Sequence, residues 1–175
     1  MCVCECVCGE RYSDGCPCGQ RGRRQSYCAA QFLKLKHPEV RKAYVCGASG
    51  LAEELQLAGV DVAGAETKEA QEESARRTLA AVSCLVRNAL PTACCATVTE
   101  EEYLTMTADP EIGAVVVGWD LSFSFRRLCY ASLLLQHIPK CLFVATNLDP
   151  CDRLADRNMP GNGCAVAAIE TSVGM

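Results

Sequence analysis

The chain has few of the residues that most often announce an active site. Its 175 residues include one Trp, four Phe and two His. Neither His37 nor His137 has a cysteine or acid beside it in a nucleophile-and-base pattern, and no G-x-S-x-G or Walker sequence occurs. The familiar sequence signs of a serine hydrolase or a P-loop enzyme are therefore missing. Long apolar runs are missing too. Arg126, Gln136 and Glu170 interrupt the longest ones well short of the roughly 20 residues that span a bilayer. Glu5, Glu10 and Arg11 break up the N-terminus before an apolar stretch could serve as a secretory signal, so a cytoplasmic protein without a membrane partner is expected. Positive charge is also short, with 17 Lys and Arg against 21 Asp and Glu for a net charge of -4, which argues against a nucleic-acid partner.

Cysteine is abundant instead, at 15 residues. Six of these (Cys2, Cys4, Cys6, Cys8, Cys16 and Cys18) fall in a segment rich in Gly and Arg that shows neither helical nor strand periodicity. Residues 1–25 are therefore expected to form a disordered tail, with Arg21, Arg23 and Arg24 as a solvated linker. The thiols there are numerous enough for a soft metal such as zinc, but their C-x-C spacing departs from that of structural zinc sites. The scattered cysteines further on read as small, reduced core residues.

From Ser26 onward, apolar runs of strand length alternate with helical patterns. Residues 43–47 (AYVCG) make a short strand, and Leu51, Leu55 and Ala58 then share one helical face, with Gly50 as the expected N-cap and Gly59 as the stop. Residues 66–88 suggest a polar surface helix. Residues 114–118 (AVVVG) predict a second buried strand, followed by a helix whose buried face carries Phe125, Leu128, Ser132 and Leu135. Residues 141–146 predict a third strand, and 164–173 a last helix. Strands of this kind, without polar alternation, belong in a largely parallel sheet covered on both faces by helices, an α/β fold.

Ligands of such sheets bind beyond the carboxyl ends of the strands. The loop after residue 146 is the most polar of these, carrying Asn147, Asp149, Asp152, Arg153, Asp156 and Asn158 before the turn at 160–163 (PGNG). From composition alone it reads equally as a turn in which Asn147 and Asp149 cap their own backbone. The other candidate is the turn at Gly47 and Gly50. Glu53 stands where a dinucleotide fingerprint would continue with glycine, so a nucleotide-binding or regulatory module is the alternative reading, on a weak signal.

Three segments taken together resemble one family. AYVCG at 43–47 with GLAEELQLAG at 50–59, DPEIGAVVVGWD at 109–120, and FVATNLD at 143–149 with PGNG at 160–163 and AIET at 168–171 are similar, in this order, to haloacid dehalogenase superfamily phosphatases. The branch is that of 4-nitrophenylphosphatase, phosphoglycolate phosphatase and pyridoxal phosphate phosphatase. The resemblance covers residues 26–175 and implies the α/β cap domain of such an enzyme. It also implies small phosphate monoester substrates, a magnesium ion, a phospho-aspartyl intermediate formed in a core domain, and a homodimer through the cap. The core motifs D-x-D-G and G-D-x-x-x-T-D do not occur in these 175 residues, so this chain alone is expected to be inactive. Within the cap, the resemblance places Asn147 and Asp149 as loop organisers, and Asp152, Arg153 and Asp156, on the loop to Asn158, as substrate-specificity contacts.

Overall fold

The computed structural model describes residues 5–6, 21–64 and 98–175. Along the chain these form β1 (Glu5–Cys6), α1 (Arg21–Lys36), β2 (Lys42–Cys46), α2 (Ser49–Leu57), β3 (Asp61–Ala63), α3 (Glu100–Thr105), β4 (Ile112–Val117), α4 (Phe125–His137), β5 (Leu142–Ala145), β6 (Cys151–Leu154), β7 (Arg157–Pro160) and α5 (Asn162–Val173). The helix expected over 66–88 lies outside the described residues, as do the tail cysteines other than Cys6.

Five strands make one parallel sheet in the order β1-β5-β4-β2-β3, and β6 and β7 form a separate antiparallel hairpin. Along β2 and β5 successive side chains alternate between the two faces, as the pleat requires. Ala43, Val45 and Val144 pack with Ala29, Ala30 and Leu33 of α1 and with Leu51 and Leu55 of α2. On the other face Tyr44, Cys46, Phe143 and Ala145 pack with Ala131 and Leu134 of α4 and with Val166 and Ile169 of α5. The continuous apolar runs of the sequence therefore mark strands buried on both sides, each fully buried Val, Leu or Phe contributing about 1.5–3 kcal/mol. Gly113 interrupts the β2 to β4 register, since Lys42 pairs with Ile112 but Ala43 with Ala114. This one-residue bulge puts Ile112 on the same face as Val115 and Val117.

Three local expectations are corrected. The N-cap of α2 is Ala48 and not Gly50, and Ala48 makes no side-chain cap bond. α4 buries Arg127, Cys129, Ala131, Ser132 and Leu134, whereas Phe125 is 69% exposed. Ser132 is buried and Leu128 and Leu135 pack half-buried against the core as expected, so Phe125 is the exception, and the buried face takes in Arg127 instead, drawn inward by a carboxylate partner that no apolar pattern signals. Finally, α1 begins at Arg21, so Arg21, Arg23 and Arg24 belong to a helix and not to a linker.

Candidate functional site at the carboxyl edge of the sheet

β2, β4 and β5 end side by side, and their exit loops are tied together. Gly118 N donates to Cys46 O at 2.8 Å, Thr146 N to Val117 O at 2.9 Å, and Ala48 N to Trp119 O at 3.2 Å. Leu51 packs tightly against the two glycines of these loops. A Cβ on Gly47 or Gly118 would stand 2.8 or 2.9 Å from Leu51 Cδ2. Between these loops and the start of α1 lies an open cleft of about 180 Å³, lined among others by Ser26, Ala48, Leu51, Trp119 and Thr146. Trp119 is 43% exposed. Sequence reasoning did not single Trp119 out; its position directly after a strand end, as the sole Trp, was the available signal.

The residue after Trp119 turns inward. Arg127 Nη1 donates to Asp120 Oδ2 at 2.6 Å, and Ser122 N donates to Asp120 Oδ1 at 2.8 Å. With side chains only 10% and 5% exposed, Arg127 and Asp120 form a buried ion pair that fixes the turn carrying Trp119. Below it, burial pushes the Cys46 thiol up to about 12 and the Tyr44 phenol above its usual range. Both stay neutral at ordinary pH and act as core residues.

The loop after β5 is built on Asn147, which is 9% exposed. Its Oδ1 accepts from Thr146 Oγ1 at 2.9 Å and its Nδ2 donates to Asp149 Oδ2 at 2.8 Å. From the far side Asn162, in the first turn of α5, donates through Nδ2 to Asn147 O at 2.8 Å and to Val117 O at 3.2 Å. Gly163 N donates to Asp149 O at 2.9 Å. Asn162 thereby ties two strand ends to one helix, a role the sequence reading did not assign.

Residues 151–160, expected as an irregular polar loop, are instead the hairpin β6–β7. Arg153 and Asn158 face each other across it, as do Asp152 and Met159. Asp152 is half-buried, whereas Arg153 and Asn158 are exposed. Asp156 stands at the tip, 89% exposed and 3.9 Å from Arg157. The structure thus joins Asn147 with Asp149, and Arg153 with Asn158, and leaves Asp156 apart from both pairs.

Magnesium needs several hard oxygen ligands in near-octahedral array. Among the described residues no three His, Cys, Asp or Glu side chains lie together as a metal site, and the Asp120 carboxylate is engaged by Arg127 and Ser122. The described residues do not fit that ion. No helix among them is long and apolar enough to cross a membrane.

No family model matches the chain. Among curated proteins it is 33% identical over 147 residues to phosphoglycolate phosphatase 2 of Arabidopsis thaliana, covering 82% of this chain and 40% of that protein. It is likewise 33% identical over 150 residues to glycerol-3-phosphate phosphatase of Homo sapiens, covering 83% and 38%. A glycerol phosphate phosphatase from Mycobacterium tuberculosis, solved in complex with magnesium, shares the fold at a TM-score of 0.55 and 21% identity over 86% of this chain and 33% of that one. The chain thus spans about two fifths or less of the length of these relatives. With ordered sequence similarity along most of its length and the same parallel-sheet fold, the chain belongs to the haloacid dehalogenase superfamily of phosphatases, in the branch that includes the phosphoglycolate and glycerol-3-phosphate phosphatases.

Proposed function

We propose that this chain is the substrate-selecting cap of a phosphatase for small phosphate monoesters, of the phosphoglycolate, 4-nitrophenyl phosphate or pyridoxal phosphate type. Hydrolysis through a phospho-aspartyl intermediate belongs to a core whose motifs are not among these 175 residues, and the magnesium implied by the family is held there. The observation that carries this reading is the carboxyl edge of the sheet. It presents a glycine-walled cleft, an exposed Trp119 and a polar hairpin, yet among the described residues it assembles no metal-binding cluster. Such a surface can contact a leaving group, and it offers no carboxylate cluster among the described residues to hold a metal ion against a phosphoryl group. In this proposal Asn147 and Asp149 hold the loop, while Asp152, Arg153, Asp156 and Asn158 on the hairpin choose the leaving group. A dimer through the cap belongs to the same proposal.

Two measurements test it. The purified chain with magnesium and 4-nitrophenyl phosphate is expected to release no nitrophenolate above buffer, and turnover by this chain would end the proposal. Exchanging the segment of the Arabidopsis thaliana relative that aligns with residues 150–161 for the sequence found here should change the ratio of kcat/KM for phosphoglycolate over 4-nitrophenyl phosphate. An unchanged ratio in an active hybrid would remove the hairpin from substrate selection.

A further inference from the structure

Two exposed thiols stand where the hairpin joins α5. Cys151 opens β6 and Cys164 lies in the first turn of α5; both are exposed and free. The other described cysteines whose state is resolved differ, with Cys46, Cys129 and Cys141 buried and Cys28 partly so. Cys164 Sγ donates to Pro150 O at 3.2 Å, and that carbonyl belongs to the peptide group whose nitrogen is that of Cys151. The same oxygen accepts from Gly161 N at 3.0 Å. Gly161 approaches so closely that an added Cβ would stand 3.0 Å from Cys151 N. Cys151 is also the register partner of Pro160, the residue before Gly161. The start of the strand and the start of the helix are thus fixed against one another with one sulfur already over the Cys151 peptide. A disulfide needs Cα atoms about 4.4–6.8 Å apart, and the ties through Pro150 O and Gly161 hold the backbones of the two residues side by side, leaving the sulfurs to be turned together by side-chain rotation.

We infer that Cys151 and Cys164 form a reversible disulfide that staples the hairpin β6–β7 to α5. Hydrogen peroxide is the oxidant. It converts one thiol to a sulfenic acid with release of one water, and the second sulfur then displaces the sulfenic oxygen as a second water while the S–S bond forms. The two thiols give up two electrons and two protons, and a dithiol reductant returns them by exchange. The effect on substrate choice rests on the function proposed above, because the hairpin carries Arg153, Asp156 and Asn158. The cross-link itself does not.

The test is peptide mapping of the intact 175-residue protein after brief peroxide treatment and alkylation. Trypsin cuts after Lys140, Arg153 and Arg157, so the disulfide joins peptide 141–153 to peptide 158–175. Because 141–153 also contains Cys141, three serine variants are compared. The linked pair should persist in Cys141→Ser, disappear in Cys151→Ser and in Cys164→Ser, and be released by dithiothreitol. Cys151 and Cys164 are exposed and serine at 164 can still donate to Pro150 O, so circular dichroism should show those two variants folded. Absence of the linked pair from the oxidised wild-type chain, its survival in Cys151→Ser, or its appearance only between two chains would overturn the inference. None of these readouts involves hydrolysis, so failure here leaves the cap reading standing, and failure of the cap reading leaves the disulfide standing.

Discussion

A single amide at Asn162 shows how the carboxyl edge is held. Its Nδ2 supplies one donor group to two carbonyl oxygens, at the end of β4 and just beyond β5, while Oδ1 is buried without a partner among the described residues. The orientation is forced, since a flipped amide would set three oxygens against each other. Asn162→Leu removes the donor but also the unpaired oxygen, so its loss is partly offset. Asn162→Asp replaces the donor with a buried carboxylate facing two carbonyls. At neutral pH it should destabilise the fold by roughly 3 kcal/mol or more, well beyond the leucine variant. The carboxyl titrates upward in the folded state, and its protonated form again has a hydrogen to donate. The aspartate deficit should therefore shrink as pH falls toward the carboxyl range. Urea denaturation of both variants at pH 7 and pH 5 reads this directly, and equal stabilities for the two at pH 7 would contradict the role given to Nδ2.

At the scale of elements, the hairpin has a turn whose geometry and sequence disagree. Ala155 adopts φ +53°, in the left-handed region that costs a residue with a Cβ about 1–2 kcal/mol. Glycine occupies it without that cost but loses more freedom on folding. Ala155→Gly should therefore be neutral to stabilising by about 1 kcal/mol, whereas Ala155→Val should destabilise, as thermal melts of the two would show; a glycine variant less stable than the valine one would refute the assigned turn. This turn also explains why the hairpin was not legible in sequence. Strands announce themselves by alternating apolar residues, but β6 and β7 read Cys-Asp-Arg-Leu and Arg-Asn-Met-Pro, joined by Ala-Asp and not by a glycine-containing turn. β2, β4 and β5 were legible within one or two residues, because burial on both faces leaves an unbroken apolar run. Only the first turn of the α4 stripe was misread, at Phe125, and for the opposite reason. Arg127 is buried by a partner seven residues earlier in the chain, and no periodicity reports a salt bridge. Within the site, the polar residues after β5 could be located from sequence, but their pairing, and the parts played by Trp119 and Asn162, depended on which strand ends the fold brings together.

For the molecule as a whole, the face of the sheet beneath α4 and α5 holds two groups whose ionisation opposes folding. Burial raises the Cys46 thiol from 9.0 to about 12 and moves Tyr44 upward as well, with nearby charges contributing less. Above pH 9 the unfolded chain releases the Cys46 proton while the folded chain retains it, so the unfolded state binds fewer protons and stability falls as pH rises. That contribution is complete below pH 9 and is lost between pH 9 and about 12, at up to about 1.4 kcal/mol per pH unit for one proton. The Lys42 and Asp109 pair at the opposite, amino edge of the sheet adds to this alkaline loss through its lysine, whose ordinary value of 10.5 falls in the same window, and contributes an acid loss through its aspartate. Its hydrogen bond raises the lysine and lowers the carboxylate, so its support is lost only as pH rises through the raised lysine value or falls through the lowered aspartate one. Alkaline unfolding followed by circular dichroism should accordingly begin above pH 9. Cys46→Ala would lower stability at pH 7 through lost packing, yet flatten its further decline above pH 9 because the ionising thiol is gone. An unchanged slope in that variant would mean that Cys46 ionises in the folded chain as readily as in the unfolded one, which is incompatible with its complete burial between the sheet and its two helices.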